Sequence, residues 1–363
     1  MENNKPNLRI GFVGDISLGD HPKRVGFGFY STYKDGIPDA LLQRVLPEAE
    51  KFDIVIGNLE FPMTSNNKLF TYGSCCLSTP KYVSFLKSAG FTVLNVANNH
   101  AMDYGIDVFD ETVGTLQNFN MKVAGIEADF NPVNFIQVKD VIVAFIGCSA
   151  HPEVTPSKET PYNVFEAKHF CDRIQQVSEK VDLVCVSIHW GEEFIPIESA
   201  REKKIGRMLI DSGADIVVGH HPHVLRDIEK YKNGIIAYSL GNFIGDMTWG
   251  RWTKDTGCLA LTADATKVGD IRFYPAIILN DFFPSYLEGF EHQEFKNRHK
   301  IKHKRLESDL ETKAYSVLAK EELRKHQVHT FLFLLRNFYR YNMKVLMKIL
   351  SDALRARCKI FGK

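Results

Sequence analysis

Five short stretches of this 363-residue chain place metal-binding residue types directly after a run of apolar, mostly β-branched residues. Gly14-Asp15 follows the first run and Gly57-Asn58-Leu59-Glu60 the second. Asn98-Asn99-His100 follows the third, with Asp103 and Gly105 close behind. A later run ends in His189-Trp190-Gly191 and another in Gly219-His220-His221-Pro222-His223. Imidazole nitrogen with carboxylate or amide oxygen suits zinc, manganese or iron. The adjoining glycines let the backbone turn sharply beside a ligand. Singly, each stretch has an ordinary explanation: Asp15 could cap a helix, Asn98-Asn99 could form a turn, and His221-Pro222-His223 could lie on the surface. Their recurrence in one context points to a shared metal site. Six or so donors exceed what one tetrahedral ion uses; two adjacent ions could clamp both oxygens of a phosphoryl displacement.

The apolar runs that must position these groups are Leu8–Val13, Phe52–Ile56, Thr92–Val96, Val141–Ile146, Leu183–Ile188, Ile216–Val218 and Ile235–Tyr238. Amphipathic segments lie between several of them, at Lys81–Ala89, Ile106–Phe119 and Ala200–Ser212. This alternation predicts an α/β fold with a largely parallel sheet. In such a sheet the C-terminal strand ends share one edge, where ligands bind. Residues 259–280 predict further strand, of the antiparallel kind.

Composition narrows the class. With 44% hydrophobic and 25% charged residues, the chain is neither disordered nor collagen-like. No run approaches the roughly 20 apolar residues that span a bilayer, and the N-terminal residues lack a signal-peptide core. Seven scattered cysteines without a Cys-x-x-Cys pair read as reduced thiols, and together these features predict a cytoplasmic protein. Net charge is +1, but residues 296–363 hold 18 Lys or Arg against 6 Asp or Glu, leaving an acidic body with a basic tail. Within that tail, Glu291–Arg305 reads as a linker or solvated helix, and helices are predicted near Leu310–Lys325 and Phe331–Lys359. The last carries Arg336, Arg340, Lys344 and Lys348 at i, i+4 spacing, with Phe331, Leu334, Leu335 and Phe338 mostly away from that ridge. Such a helix would cap the acidic body or contact the inner membrane face peripherally. Nucleic acid is disfavoured as a partner, because the tail carries no recognised binding motif.

The stretches FVGDISLGD (12–20), IGNLEFPMT (56–64), VANNHAMDYG (96–105), SIHWGEEF (187–194), GADIVVGHHPHVLRDIE (213–229) and IAYSLGNFIGD (236–246) occur in an order that resembles the CapA family. These are capsule or poly-γ-glutamate synthesis proteins, a branch of the calcineurin-like metallophosphoesterase superfamily. The resemblance runs from about residue 8 to 280. It implies an αββα sandwich of two mixed sheets over 8–285; the basic linker and helical extension at 286–363 are read from composition and spacing, and the tail after 290 lies outside the resemblance. The resemblance also implies a divalent metal site holding one or two ions, manganese, zinc or iron. By motif, the implied ligands are Asp15, Asn99, His189, His221 and His223. Asn58 stands where the superfamily usually has a bridging aspartate, and Glu60 is the nearest carboxylate for that role. His100 follows Asn99 as in the superfamily's Asn-His pair and would protonate the leaving group, with Asp103 orienting it. The chain departs from the superfamily at Ser17, where the first motif usually has histidine, and at Asn58. His21 is the nearby imidazole that could compensate.

Three functions follow from these residues. The leading one is a metal-dependent, phosphoesterase-like hydrolase in the synthesis of capsule or another cell-surface polymer, acting on an anionic or polymeric substrate. The second is a non-catalytic assembly factor for a polymer synthase or exporter, with a degraded metal site. The third keeps the metal and cleaves an amide or glycosidic bond of the polymer. A Ser nucleophile and a P-loop are disfavoured by the absence of Gly-x-Ser-x-Gly and Gly-x-x-x-x-Gly-Lys-Ser/Thr. Ser239 and Asn242 are expected to shape the loop beside the metals.

Overall fold

The computed structural model describes residues 8–343 except 49, 72–73, 127–134, 152–159 and 265–267, together with 345 and 347. Its strands, in chain order, are β1 (Leu8–Ile16), β2 (Ile54–Leu59), β3 (Val93–Asn95), β4 (Lys122–Ala124), β5 (Phe135–Val138), β6 (Val141–Ser149), β7 (Leu183–His189), β8 (Ile216–His220), β9 (Ile228–Tyr231), β10 (Gly234–Ala237), β11 (Asn242–Ile244), β12 (Asp255–Ala263), β13 (Val268–Ile278) and β14 (Pro284–Tyr286).

They form two mixed sheets. The first has the order β14-β13-β12-β1-β2-β3-β4, with β11 also pairing β1. Strands β1 to β4 and β11 run parallel, while β12, β13 and β14 add antiparallel. The second has the order β5-β6-β7-β8-β10-β9, parallel in its centre and antiparallel at both edges. The single, largely parallel sheet expected from strand–helix alternation is therefore two sheets. A strand covered on both faces is apolar on both, so its sequence does not reveal which sheet it joins.

Burial on both faces explains the long apolar runs. Leu8, Ile10 and Phe12 of β1 meet Val143 and Phe145 of β6 and Cys185 of β7 in the core between the sheets. The alternate residues Ala144, Ile146 and Cys148 of β6 face outward, onto Phe170, Ile174 and Leu209 of the helices Ala167–Ser178 and Ala200–Asp211. On the other side, Val13 and Val55 join a cluster with Phe85, Phe109 and Leu116 of the helices Val83–Ser88 and Ile106–Asn118. The layers are thus helix, sheet, sheet, helix. The Ala200–Asp211 helix starts in a capping box, in which the Ser199 hydroxyl accepts from Glu202 N and Glu202 accepts from Ser199 N.

The C-terminal helices differ from the sequence expectation. One helix spans Gly289–Thr312 and absorbs the stretch read as linker; the next runs unbroken over Tyr315–Asn337, and a short turn follows at Phe338–Arg340. The break lies at Lys313-Ala314, not between 325 and 331, where no Gly or Pro interrupts the chain. Phe295, Leu306 and Leu318 are buried, so the extension packs rather than floating in solvent. Arg298 and His299 reach the buried Asp255 at 3.0 Å, and the Lys302 ammonium lies 3.4 Å from the Trp252 ring centre. Lys344, Lys348 and the rest of the predicted helix to Lys359 lie outside the described residues, except 345 and 347.

Gly14 sits where β1 and β11 converge, and a Cβ there would come within 2.0 Å of the Gly241 carbonyl oxygen. Gly14→Ala is expected to destabilise the chain by about 1–3 kcal/mol through backbone displacement. Denaturant unfolding checks this against Gly114→Ala, whose Cβ would meet nothing within 4 Å inside the Ile106–Asn118 helix and which is expected to stabilise by up to about 1 kcal/mol.

Candidate metal centre

Asp15 ends β1 beside Asn58 of β2, its direct partner in the sheet register. His189 ends β7 opposite His220, the last residue of β8. The two sheets bring these ends together, and a web of short contacts joins them. Asn58 Nδ2 donates to Asp15 Oδ1 at 2.9 Å and to Glu60 Oε2 at 2.6 Å. His223 Nδ1 lies 3.1 Å from Asp15 Oδ2, and its Nε2 lies 3.7 Å from Glu60 Oε1. His189 Nε2 is 2.7 Å from Asn99 Oδ1, while its Nδ1 faces Glu60 Oε2 at 3.9 Å. The His221 amide donates to Asp15 Oδ2 at 3.2 Å, and the His221 and His189 rings lie 4.7 Å apart.

Every expected site residue is in this neighbourhood. Asp15, Asn58, Glu60, Asn99, His189, His221 and His223 are buried. His100 and Asp103 sit at the more open side, joined Nδ1 to Oδ2 at 2.7 Å, with His100 Nε2 4.0 Å from Glu60 Oε1. The His100 ring also stands edge-on to Phe61 at 5.3 Å. Asn58 Oδ1 accepts from Asn95 Nδ2 at 3.0 Å, so the amide nitrogen is what meets the two carboxylates. His21 accepts from Lys23 N and packs against Trp249 at 4.6 Å. Asn242 Nδ2 donates to the His223 carbonyl at 3.3 Å, and the Ser239 hydroxyl accepts from Gly241 N.

Three further residues take part in the cluster. His220 places Nδ1 3.2 Å from Asp15 Oδ1, on the opposite oxygen from His223. Asn95 fixes Asn58. Glu193 joins His221 and His223 as a possible ligand group on the exposed side. For His220 the signal was its place as the final residue of a strand whose alternate residue, Val218, faces the core. Asn95 gave none, since one amide in a strand has no periodicity.

The electrostatics follow from burial. Burial works against the Asp15 charge, but the facing His220 and His223 imidazoles outweigh it and hold the carboxyl well below its ordinary pKa. Burial and the Asp15 charge raise Glu60. Burial, then the neighbouring imidazoles, keep His189 and His221 well below the usual histidine value, in the neutral form that binds metal. His223 goes the other way, to about 9: burial opposes protonation, but the Asp15 contact and the Glu60 charge prevail.

Glu60, His189 and His221 offer ligand atoms within 4.8 Å of one another. Glu60 Oε1, His189 Nδ1 and His221 Nδ1 are buried without a hydrogen-bond partner. An unmet buried polar atom costs about 1–3 kcal/mol, and three in one place suit a cation that satisfies them together. The backbone is also held out of its usual range here: His221 has φ 94° and His223 φ 56°, a strain concentrated at functional positions. The donor set therefore fits a divalent transition metal.

Fold and site together define a two-sheet α/β protein with a buried His/carboxylate centre at the joined strand ends. The chain belongs to the bacterial capsule synthesis protein PGA_cap family, whose model matches residues 9–247. It is 36% identical over 278 residues to the PGA biosynthesis protein CapA of Bacillus subtilis (strain 168), covering 74% of this chain and 71% of that one. It is 35% identical over 289 residues to the capsule biosynthesis protein CapA of Bacillus anthracis, covering 74% and 67%. Among solved structures, 5'-nucleotidase from Candida albicans SC5314 aligns over 82% of this chain and 57% of its own, with 12% identity and a TM-score of 0.43.

Asn95→Ala removes the donor to Asn58 and leaves a buried amide oxygen unmet. A loss of about 1–3 kcal/mol is expected, read as a lower denaturation midpoint with an unchanged slope.

Proposed function

We propose that this chain is a metal-dependent hydrolase, phosphoesterase-like in its chemistry, acting in the synthesis of a capsule or related cell-surface polymer. The observation that carries this reading is the convergence of Glu60, His189 and His221, with buried ligand atoms that nothing in the protein meets. Asp15, Glu60, His189, His221 and His223 would hold one or two divalent ions, manganese, zinc or iron, with the amides of Asn58 and Asn99 beside them. Such an ion, when bound, supplies Lewis acidity toward water and toward a phosphoryl or carbonyl oxygen.

The chain's own residues then have separable tasks. Asp15 stays charged between His220 and His223 and anchors the cluster. Asn58 donates to both carboxylates and so keeps two buried negative groups from repelling each other apart. Asp103 holds His100 through Nδ1 and leaves Nε2 toward the site, where His100 donates a proton to the departing oxygen. The link to an anionic polymer comes from relatives whose names place them in capsule and PGA biosynthesis.

A second reading is an assembly factor for a polymer synthase or exporter. It is favoured by Ser17, which stands buried with its hydroxyl unpartnered where the superfamily usually has a histidine ligand. Cleavage of an amide or glycosidic bond is the third. Among the described residues no helix is long and apolar enough to cross a membrane. The final helix nevertheless exposes Val328, Phe331 and Leu335 at helical spacing, and Phe338 follows in the turn after it, a row suited to peripheral contact with an anionic inner membrane face.

A panel of phosphodiesters, phosphomonoesters and γ-glutamyl oligomers separates these readings. His221→Ala is expected to lower hydrolysis of the preferred substrate at least 100-fold while leaving the fold intact. Hydrolysis unchanged in His221→Ala contradicts the catalytic reading; activity on γ-glutamyl oligomers alone selects amide cleavage. For the membrane face, the chain is expected to co-sediment with anionic lipid vesicles and to lose that in Phe331→Asp/Phe338→Asp. A chain that stays in the supernatant contradicts it.

A further inference from the structure

A cavity of about 920 Å³ lies between the α/β body and the Tyr315–Asn337 helix, away from the cluster of metal ligands. Its wall carries six basic side chains, Arg24, Arg251, Lys254, His329, Arg336 and Arg340, and no Asp or Glu. The size is that of a ligand pocket, and the charge is one-sided. Body and extension both contribute, so the cavity exists only because the helix docks as it does.

Arg24 separates this cavity from a chance grouping of surface charges. It is only 9% exposed. Its Nη2 donates to Thr248 Oγ1 at 2.7 Å, but its Nε has no hydrogen-bond partner. Among the described residues no carboxylate lies within ion-pair distance of its guanidinium. A buried guanidinium is ordinarily paired, because removing it from water is costly. Phe333 of the helix lies 4.6 Å from it and Phe282 5.2 Å, so aromatic faces fix its plane beside the cavity. The turn that carries it is tied down as well: Asp246 Oδ2 accepts from His21 N and Phe29 N, and Asp20 Oδ2 accepts from Gly26 N. Of Arg251, Lys254, Arg336 and Arg340, only Arg251 has a described carboxylate in reach, Glu294 at 3.7 Å.

We propose that this cleft is a binding site for a multivalent oxyanion, an extended chain or headgroup bearing several carboxylates or phosphates, gripped by Arg24 at its floor and by Arg251 and Arg336 from its two sides. Guanidinium groups suit such ligands because their paired N–H donors match two oxygens of a carboxylate or phosphate. The cleft also has a structural connection to the metal centre. Trp249 forms part of its wall and packs against His21, and Lys23 lies 4.6 Å from Trp249 and 5.6 Å from Phe194. Phe194 in turn lies 6.0 Å from the His223 ring. Trp249 and Phe194, with Lys23 between them, thus form a continuous path of contacts from the cleft to the cluster. This inference deepens the reading of an anionic polymer substrate but does not need hydrolysis to be true.

The test measures binding to the full-length chain by fluorescence anisotropy, after EDTA has stripped any metal and has itself been dialysed away, because it is a multivalent carboxylate. The probes are a labelled γ-linked glutamate decamer and, in competition, inorganic tripolyphosphate. Arg251→Glu/Arg336→Glu alters two exposed side chains and is expected to weaken probe binding at least tenfold. Arg24→Met, which keeps the packing volume, is expected to weaken it at least fivefold at an unchanged melting temperature. Lys180→Glu, a charge reversal at an exposed position outside the cleft, is expected to bind as the wild type does. Competition by tripolyphosphate below the decamer's own concentration range marks a phosphate ligand, and the reverse marks a carboxylate polymer. The proposal is overturned if neither probe binds, if the double variant binds normally, or if Lys180→Glu weakens binding as much. Failure of the hydrolase reading would appear instead as normal probe binding without turnover.

Discussion

The rest of the centre depends on a carboxylate that has to stay charged while fully buried. Asp15 has no exposed surface and sits where the ends of two sheets meet. Water cannot stabilise its charge, so the fold does. Histidines from β8 and from the turn after it flank its two oxygens at 3.2 and 3.1 Å, Asn58 donates from β2, and the His221 amide donates from the same turn. The donors come from β2 and from β8 with the turn after it, so the centre forms only when β1, β2 and β8 have found their register. Glu60 illustrates the other side of the constraint. Next to a charge already in place, its own ionisation is disfavoured by burial and by Asp15, and a cation is the natural means of stabilising both.

Much of this was legible in the sequence, for a physical reason. Strands covered on both faces must be apolar throughout, so they stand out, and the polar residues that end them stand out against them. Asp15, Asn99, His189 and His221 are all readable in this way. What periodicity leaves open is which sheet each strand joins; only the resemblance of whole motifs supplied two. Short pieces such as β4 and β11, three residues each, carry too little pattern to be seen. The Ala167–Ser178 helix was missed although the signal was there: Glu166 accepts from Lys168 N and His169 N, and Phe170, Ile174 and Val177 recur at helical spacing. His220 is readable as well, as the last residue of a strand whose alternate residue Val218 faces the core, but the motif resemblance points only to its neighbours His221 and His223.

The basic tail was legible in composition but not in arrangement. Its cations looked like one continuous ridge on one helix. In the structure the helix ends at Asn337, and Arg340 belongs to the turn beyond it. The tail is also more than a solvated appendage. His326 stacks on Phe194 at 3.7 Å with the rings 5° from parallel, and Phe194 follows directly on the loop from His189. Docking is therefore onto the segment that carries a proposed ligand, and the extension lies outside the part of the chain that the family model matches.

The central claim is that Glu60, His189 and His221 surround a divalent ion. The most direct measurement is anomalous diffraction from crystals of the chain grown with manganese, recorded on either side of a metal absorption edge. The account predicts an anomalous peak within about 2.5 Å of Glu60 carboxylate oxygen and of an imidazole nitrogen of His189 or His221, absent in crystals of His221→Ala/His223→Ala. A wild-type map with no peak there, from protein that elemental analysis shows to carry no manganese, zinc or iron, would contradict it.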